Sequence, residues 1–287
     1  LKRGMAIRRT QVGKEVTFTA NITSTKLDYS GVLDHIAIGL NFQQDGTDAP
    51  TLATLLGSIN EILVRQGSVD MFDLRMEDAI ALMALLFNQN FRYLISAGDG
   101  EFAFIYNIQI PCFYEKLSKD VTYQIAITDI ATTDNEQITV EAVQANVAKL
   151  PPLRIKTFDY SADATSGKLP AVSDTLTGDL IAIMFYSTTI PTTTNLNSSI
   201  KNVEIELNGA TQIQTSWETM GSDQKQAGTV QGDSILDGIL DNYRLLSLVD
   251  DPFPRGSTLK VLISADATDA SRVILIEALQ VKAKEAE

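Results

Sequence analysis

An all-β chain of two similar sandwiches with short inserted helices is the fold class this sequence predicts, and three observations predict it. The first is the stretch Lys149-Leu150-Pro151-Pro152-Leu153 near the middle. Consecutive prolines forbid helix and withdraw two ladder donors, so it reads as an extended joint between structural units. The second is duplication, because four short landmarks recur in the same order on either side of the joint. The third is periodicity: most apolar stretches either alternate with period two, as half-exposed strands do, or run nearly continuously, as strands buried on both faces do.

The landmarks are short but ordered. Asp28-Tyr29-Ser30, preceded by Leu27, returns as Asp159-Tyr160-Ser161 preceded by Phe158. Ile36-Ala37-Ile38 returns as Ile181-Ala182-Ile183. Ser58-Ile59, a short strand and Gly67 are matched by Ser199-Ile200, a short strand and Gly209. Each half closes on one pattern, Glu141-Ala142-Val143-Gln144 and Glu277-Ala278-Leu279-Gln280. The separations run from about 131 to about 145 positions, so loops differ in length while the order holds. A chain of 287 residues exceeds the usual size of one core, and two cores of roughly 140 residues each fit the repeat. The expected division is a basic N-terminal arm over 1–13, a first sandwich over 14–150, a second over 151–281 and a charged tail over 282–287.

In the first half, Lys14 to Ile22 alternates, and Leu33, Ile36, Ile38, Leu40 and Phe42 form an apolar run that reads as a buried strand. Asp45-Gly46-Thr47-Asp48 marks a loop, and Ile59 to Val64 and Ser68 to Phe72 read as strands hinged at Gly67. The period then changes to that of an amphipathic helix, with Asp73 as N-cap and Leu74, Met76, Ile80, Met83 and Phe87 on one side. Arg92 to Ser96, Glu101 to Ile110, Val121 to Ile127 and Gln137 to Val147 complete about eight strands, a count suited to an antiparallel sandwich.

In the second half, Arg154 to Tyr160 and Asp179 to Ser187 read as strands separated by a long polar loop. Val203, Ile205 and Leu207 share one face of a strand ending at the turn Asn208-Gly209. Asp233 is expected to cap a second helix carrying Ile235, Leu236, Ile239, Leu240 and Tyr243, and Thr258 to Ser264 with Arg272 to Val281 form the closing hairpin.

Composition narrows the function. The formal charge of −13 argues against nucleic-acid binding by the body of the protein, because phosphate contacts need clustered Lys and Arg. The exception is the start, where Lys2, Arg3, Arg8 and Arg9 lie within nine residues. Such a cluster suits an anionic surface, either phospholipid headgroups or packaged nucleic acid, and equally a solvated terminus. No apolar run approaches the roughly 20 residues that span a bilayer. The one cysteine, Cys112, excludes an internal disulfide, and its setting between Ile110-Pro111 and Phe113-Tyr114 implies a buried, inert thiol.

Catalytic and metal-binding patterns are thin. The one histidine, His35, sits in the apolar strand and reads as structural. Gly98, Gly100 and Ala103 imitate a dinucleotide loop, yet they lead into a strand where that motif needs a helix. The aspartates Asp45, Asp48, Asp266 and Asp269 have the hard oxygens that calcium takes, but turn formation accounts for them more cheaply. Asn21-Ile22-Thr23 and Asn197-Ser198-Ser199 match the N-glycan acceptor pattern, which also arises often by accident. No cofactor, metal site or catalytic residue is expected, and the chain does not read as an enzyme.

Two tandem sandwiches, each with an inserted helix and joined by a short linker, resemble the double jelly-roll major capsid proteins of adenovirus-type and internal-membrane icosahedral viruses. The resemblance covers Lys14 to Val281 and rests on architecture and duplication. It implies two tandem eight-stranded jelly-roll β-sandwiches standing upright in a capsid shell. It further implies a homotrimer with a pseudo-hexagonal outline, since two similar domains in three chains give six near-equivalent corners. Partners would be neighbouring capsomers and minor capsid proteins, with an internal lipid membrane beneath the arm of Lys2, Arg3, Arg8 and Arg9. The place would be the virion, assembled in the host cytoplasm, with no sequence-specific nucleic-acid contact. The alternative on the same sandwiches is a carbohydrate-binding or glycan-processing protein, which calls for exposed aromatics; Trp217 is the one tryptophan.

Overall fold

The computed structural model describes residues 8–11, 16–17, 22–27, 29, 31–44, 52–89, 92–95, 102–115, 120–127, 133–146, 150–226 and 239–279. The chain divides into two compact units that change over between Leu153 and Arg154, with the short stretch Ala84–Asn88 counted in the second.

In the second unit, eight strands follow one another: β11 (Leu153–Ser161), β12 (Leu169–Thr175), β13 (Asp179–Ser187), β14 (Asn202–Leu207), β15 (Ala210–Ser216), β16 (Tyr243–Ser247), β17 (Thr258–Ser264) and β18 (Ala270–Ala278). They form the orders β16-β13-β18-β11 and β12-β17-β14-β15. Numbered within the unit, that is 6-3-8-1 and 2-7-4-5, so sequence neighbours mostly lie in opposite sheets. This alternation is the jelly roll. Leu180, Ile183 and Phe185 of β13 and Val273 and Leu275 of β18 meet Val203, Ile205, Leu259, Val261 and Ile263 in one core, each at most 1% exposed. Full burial of one such side chain stabilises by about 1.5–3 kcal/mol.

The first unit repeats the plan. Its strands are β1 (Arg8–Gln11), β2 (Val16–Thr17), β3 (Ile22–Lys26), β4 (Val32–Gln44), β5 (Ile59–Gln66), β6 (Val69–Leu74), β7 (Arg92–Ile95), β8 (Phe102–Glu115), β9 (Val121–Ile127) and β10 (Thr133–Ala145). One sheet runs β1-β10-β4-β8-β7, with β2 also on β10, and the other runs β3-β9-β5-β6. Taking β1 and β2 as one interrupted strand and β7 as an addition, the order is again 6-3-8-1 and 2-7-4-5. Phe72 of β6 and Tyr114 of β8 meet across the sandwich, ring centroids 6.5 Å apart.

The expected run Leu33, Ile36, Ile38, Leu40, Phe42 is buried throughout. Its uneven first step has a cause: the register of β4 shifts between Leu33 and His35 on one neighbour and beside Asp34 on the other. Phe113, in the matching irregularity of β8, adopts φ of 57°, a left-handed conformation uncommon for an aromatic residue.

Several expectations are corrected. The Asp-Tyr-Ser landmark does not mark equivalent places, because Tyr29 lies between β3 and β4 while Tyr160 lies within β11. The other three landmarks do fall on equivalent strands or turns. The helix expected from Asp73 is α2 (Met76–Leu86), and Asp73 belongs to β6. Its start is closed instead by Asp78, whose carboxylate accepts the Arg75 N–H at 3.3 Å, one half of a capping box. A short helix, α1 (Leu52–Gly57), precedes β5. The loop expected before Asp179 contains β12, and a helix not expected from the sequence, α3 (Trp217–Gln226), follows β15. Asp233 to Ile235 lie outside the described residues, and Tyr243, assigned to that helix by period, opens β16. The strand expected over Lys14 to Ile22 is split between β2 and β3.

Candidate functional site

Of the four basic residues at the start, Lys2 and Arg3 lie outside the described residues. Arg8 and Arg9 begin β1, paired antiparallel with Gln144 and Val143 at the edge of the first unit's larger sheet. The segment expected as a basic N-terminal arm therefore contains a paired strand, which fixes the backbone of these two arginines.

The other candidates are engaged in structure. His35 holds Asp34 through Nδ1 at 2.9 Å. Cys112 is fully buried and donates to the Ile110 carbonyl at 3.3 Å; burial pushes its pKa well above the ordinary thiol value, so it stays protonated. Asp266 pairs with Lys201 at 2.9 Å and Asp269 accepts from the Thr189 hydroxyl. Asp45, Asp48, Gly98 and Gly100 lie outside the described residues, and Ala103 falls in β8, a strand. Among the described residues no group of three or more His, Cys, Asp and Glu is placed to hold a metal ion, and no helix is long and apolar enough to cross a membrane.

Trp217 is not available for sugar stacking. It is 1% exposed and belongs to the core of the second unit, where the Arg244 guanidinium lies 4.5 Å from its ring centroid. Gly221 makes room for that cation, because a Cβ there would meet Arg244 Nε at 2.7 Å. Burial lowers the Arg244 pKa, while Asp241 and Glu218 oppose the shift. Beside this pair, Ile190, Pro191, Glu218 and Asp241 help to line a cavity of about 380 Å³.

Sequence reading misses a buried polar cluster in the second unit. Glu277 on β18 is fully buried, and its Oε2 accepts the Thr177 N–H at 2.9 Å, the Gly178 N–H at 2.7 Å and the Thr177 hydroxyl. Its Oε1 lies 2.7 Å from Lys156 Nζ, which is also 2.7 Å from Asp174. The closing pattern of the repeat singled out Glu277, but only as a landmark. The structure makes it a clamp tying β11, β12, the turn before β13, and β18. Its Oε2 is taken by structural partners, and its Oε1 faces the Lys156 ammonium as an ion pair.

No protein-family profile and no curated protein matches the chain. Solved structures do. The chain is similar to the major capsid protein of Sulfolobus turreted icosahedral virus, with a TM-score of 0.73 and 10% identity over 96% of this chain and 97% of that one. It is similar to the major capsid protein P2 of bacteriophage PM2, with a TM-score of 0.60 and 11% identity over 96% and 99%. It is also similar to a chain of the PBCV-1 virus capsid, with a TM-score of 0.56 and 10% identity over 96% and 93%. Identities this low carry the fold and nothing finer. Two jelly rolls in tandem, matched over nearly the full length, give this chain the double jelly-roll fold found in those viral capsid proteins.

Proposed function

We propose that this chain is a structural protein, a viral major capsid protein that builds an icosahedral shell. One observation carries the reading: both units have the jelly-roll strand order, and the match to capsid proteins runs through 96% of the chain and nearly all of theirs. Within it, three copies form a pseudo-hexagonal capsomer, two units per chain supplying six corners. The chain acts without catalysis, its place is the virion, and assembly occurs in the host cytoplasm.

The working units are a basic segment over 1–13, jelly rolls over 14–150 and 151–281, and a charged tail over 282–287. Lys2, Arg3, Arg8 and Arg9 face an anionic surface, an internal lipid membrane or packaged nucleic acid, and minor capsid proteins join the lattice. Glycan binding is not favoured, since the one tryptophan is buried.

Light scattering on the purified chain, followed by imaging, tests the reading. Expected is a particle of three times 31.3 kDa with a six-cornered outline, which joins larger shells. A chain that stays monomeric at every concentration and enters no particle would falsify it.

A further inference from the structure

Two tripeptides fit the N-glycan acceptor pattern, and their structural settings differ. Asn21 lies outside the described residues, and its neighbour Ile22 is 7% exposed at the start of β3. Asn197 lies in the loop between β13 and β14, where residues 192–197 are all exposed and Leu196 reaches 79%.

That loop has a fixed shape. The Thr192 N–H donates to the Asn195 carbonyl at 2.7 Å, and the Asn195 N–H returns to the Thr192 hydroxyl at 3.1 Å. The Asn197 N–H donates to Asn195 Oδ1 at 3.0 Å. The next two residues turn inward: the Ser198 hydroxyl donates to the Ile200 carbonyl at 2.7 Å, and the Ser199 hydroxyl lies 2.7 Å from that of Ser187. Among the described residues the Asn197 carboxamide makes no hydrogen bond. It is the group of the motif left facing water, on a loop with room around it.

We propose that Asn197 is an attachment site for an N-linked sugar, added before the second unit closes. The chemistry needs a sugar activated as a diphosphate ester. The Asn197 amide nitrogen forms a bond to the anomeric carbon, the carbon–oxygen bond to the diphosphate breaks, and the amide proton leaves with the released diphosphate; nothing is oxidised or reduced. Recognition of the pattern requires the hydroxyl at the third position. In the folded protein that hydroxyl belongs to Ser199, which is fully buried, so an enzyme reading the motif must meet the chain while it is still open. Once attached, the sugar projects from an exposed loop and disturbs no core contact. This site stands apart from the shell reading, and either can fail alone.

Peptide mapping of the chain from its native source is the deciding experiment. The peptide ending at Lys201 should carry sugar mass at Asn197. An unmodified Asn197, or sugar on Asn21 alone, overturns the site. The order of events is tested with a sequon-directed N-glucosyltransferase and UDP-glucose. Asn197 should gain a hexose in the denatured full chain, the Asn197→Gln variant should lack that hexose while Asn21 labels as before, and Asn197 of the folded chain should gain at least tenfold less. Equal labelling of folded and denatured chain overturns the requirement for an open Ser199.

Discussion

At the scale of single residues, the informative side chains are buried polar ones whose partners come from distant parts of the sequence. Glu277 and Thr177 are a hundred positions apart, and no periodicity or short motif connects them. Breaking a buried pair by removing one partner costs roughly 3–5 kcal/mol, because the other charge is left without compensation. Glu277→Ala should therefore destabilise the chain by about that much in urea unfolding, with Glu277→Gln in between, since it keeps an acceptor but loses the charge facing Lys156. A loss near zero for Glu277→Ala would mean the clamp contributes nothing. Tyr29 gives a pH prediction. It is buried with no partner for its hydroxyl among the described residues, and burial first, then Cys112 and Asp120, raises its pKa from 10.0 to about 12. The folded state thus keeps the proton that the unfolded state releases. The stabilisation is whole below about pH 10 and is lost as pH rises toward 12. Tyr29→Phe should flatten the fall in stability across that window while leaving neutral-pH stability unchanged or slightly higher. An unaltered alkaline profile would remove Tyr29 from the account.

At the scale of elements, legibility followed local chemistry. The strands β9, β13 and β17 coincide with the expected spans because each is bounded by turn residues and carries a clean apolar pattern. The turn Asn208-Gly209 was readable too, and both residues adopt positive φ, 53° and 81°. What escaped was set by tertiary contact. Strand β12, with Pro170 and Ser173 in it, has little strand character of its own and is held by pairing to β17 across about ninety positions. Helix α3 is mostly polar, and it forms on the Ser216 cap, whose hydroxyl accepts the Thr219 N–H at 3.2 Å. Three repeat landmarks marked equivalent places, while Asp-Tyr-Ser matched by accident, as a tripeptide can. Two glycines separate conformational from steric requirement. At Gly209 an added methyl meets open space, so Gly209→Ala costs only the strain of positive φ, about 1 kcal/mol. At Gly178 the same methyl would stand 2.6 Å from the Ala278 carbonyl oxygen, which is backbone held by the β13–β18 ladder. Gly178→Ala should be the costlier of the two by at least about 2 kcal/mol. Equal melting temperatures for the two variants would show that the turn before β13 yields freely.

At the scale of the whole molecule, the proposed association of copies has net charge working against it. Each chain carries −13, so approaching copies repel, and the repulsion reaches about 30 Å at 0.01 M salt but only about 8 Å at 0.15 M. The basic start works against this only locally. Surface ion pairs such as Lys168–Glu204, Lys201–Asp266 and Lys260–Glu206 lie within the second unit, and exposed pairs of this kind contribute about 0–1 kcal/mol each. Salt therefore weakens little that holds a unit together, while it removes much of what keeps copies apart. Association into the proposed trimers should strengthen with salt, the protein concentration it needs falling by about tenfold between 0.01 M and 0.15 M. A charge-assisted interface gives the opposite sign, because complementary patches attract most at low salt and let go as it rises. Light scattering across a salt series at fixed protein concentration separates the two. If trimers dissociate as salt rises, copies are joined through the basic residues and acidic surfaces, and not through apolar contact between the sandwich flanks.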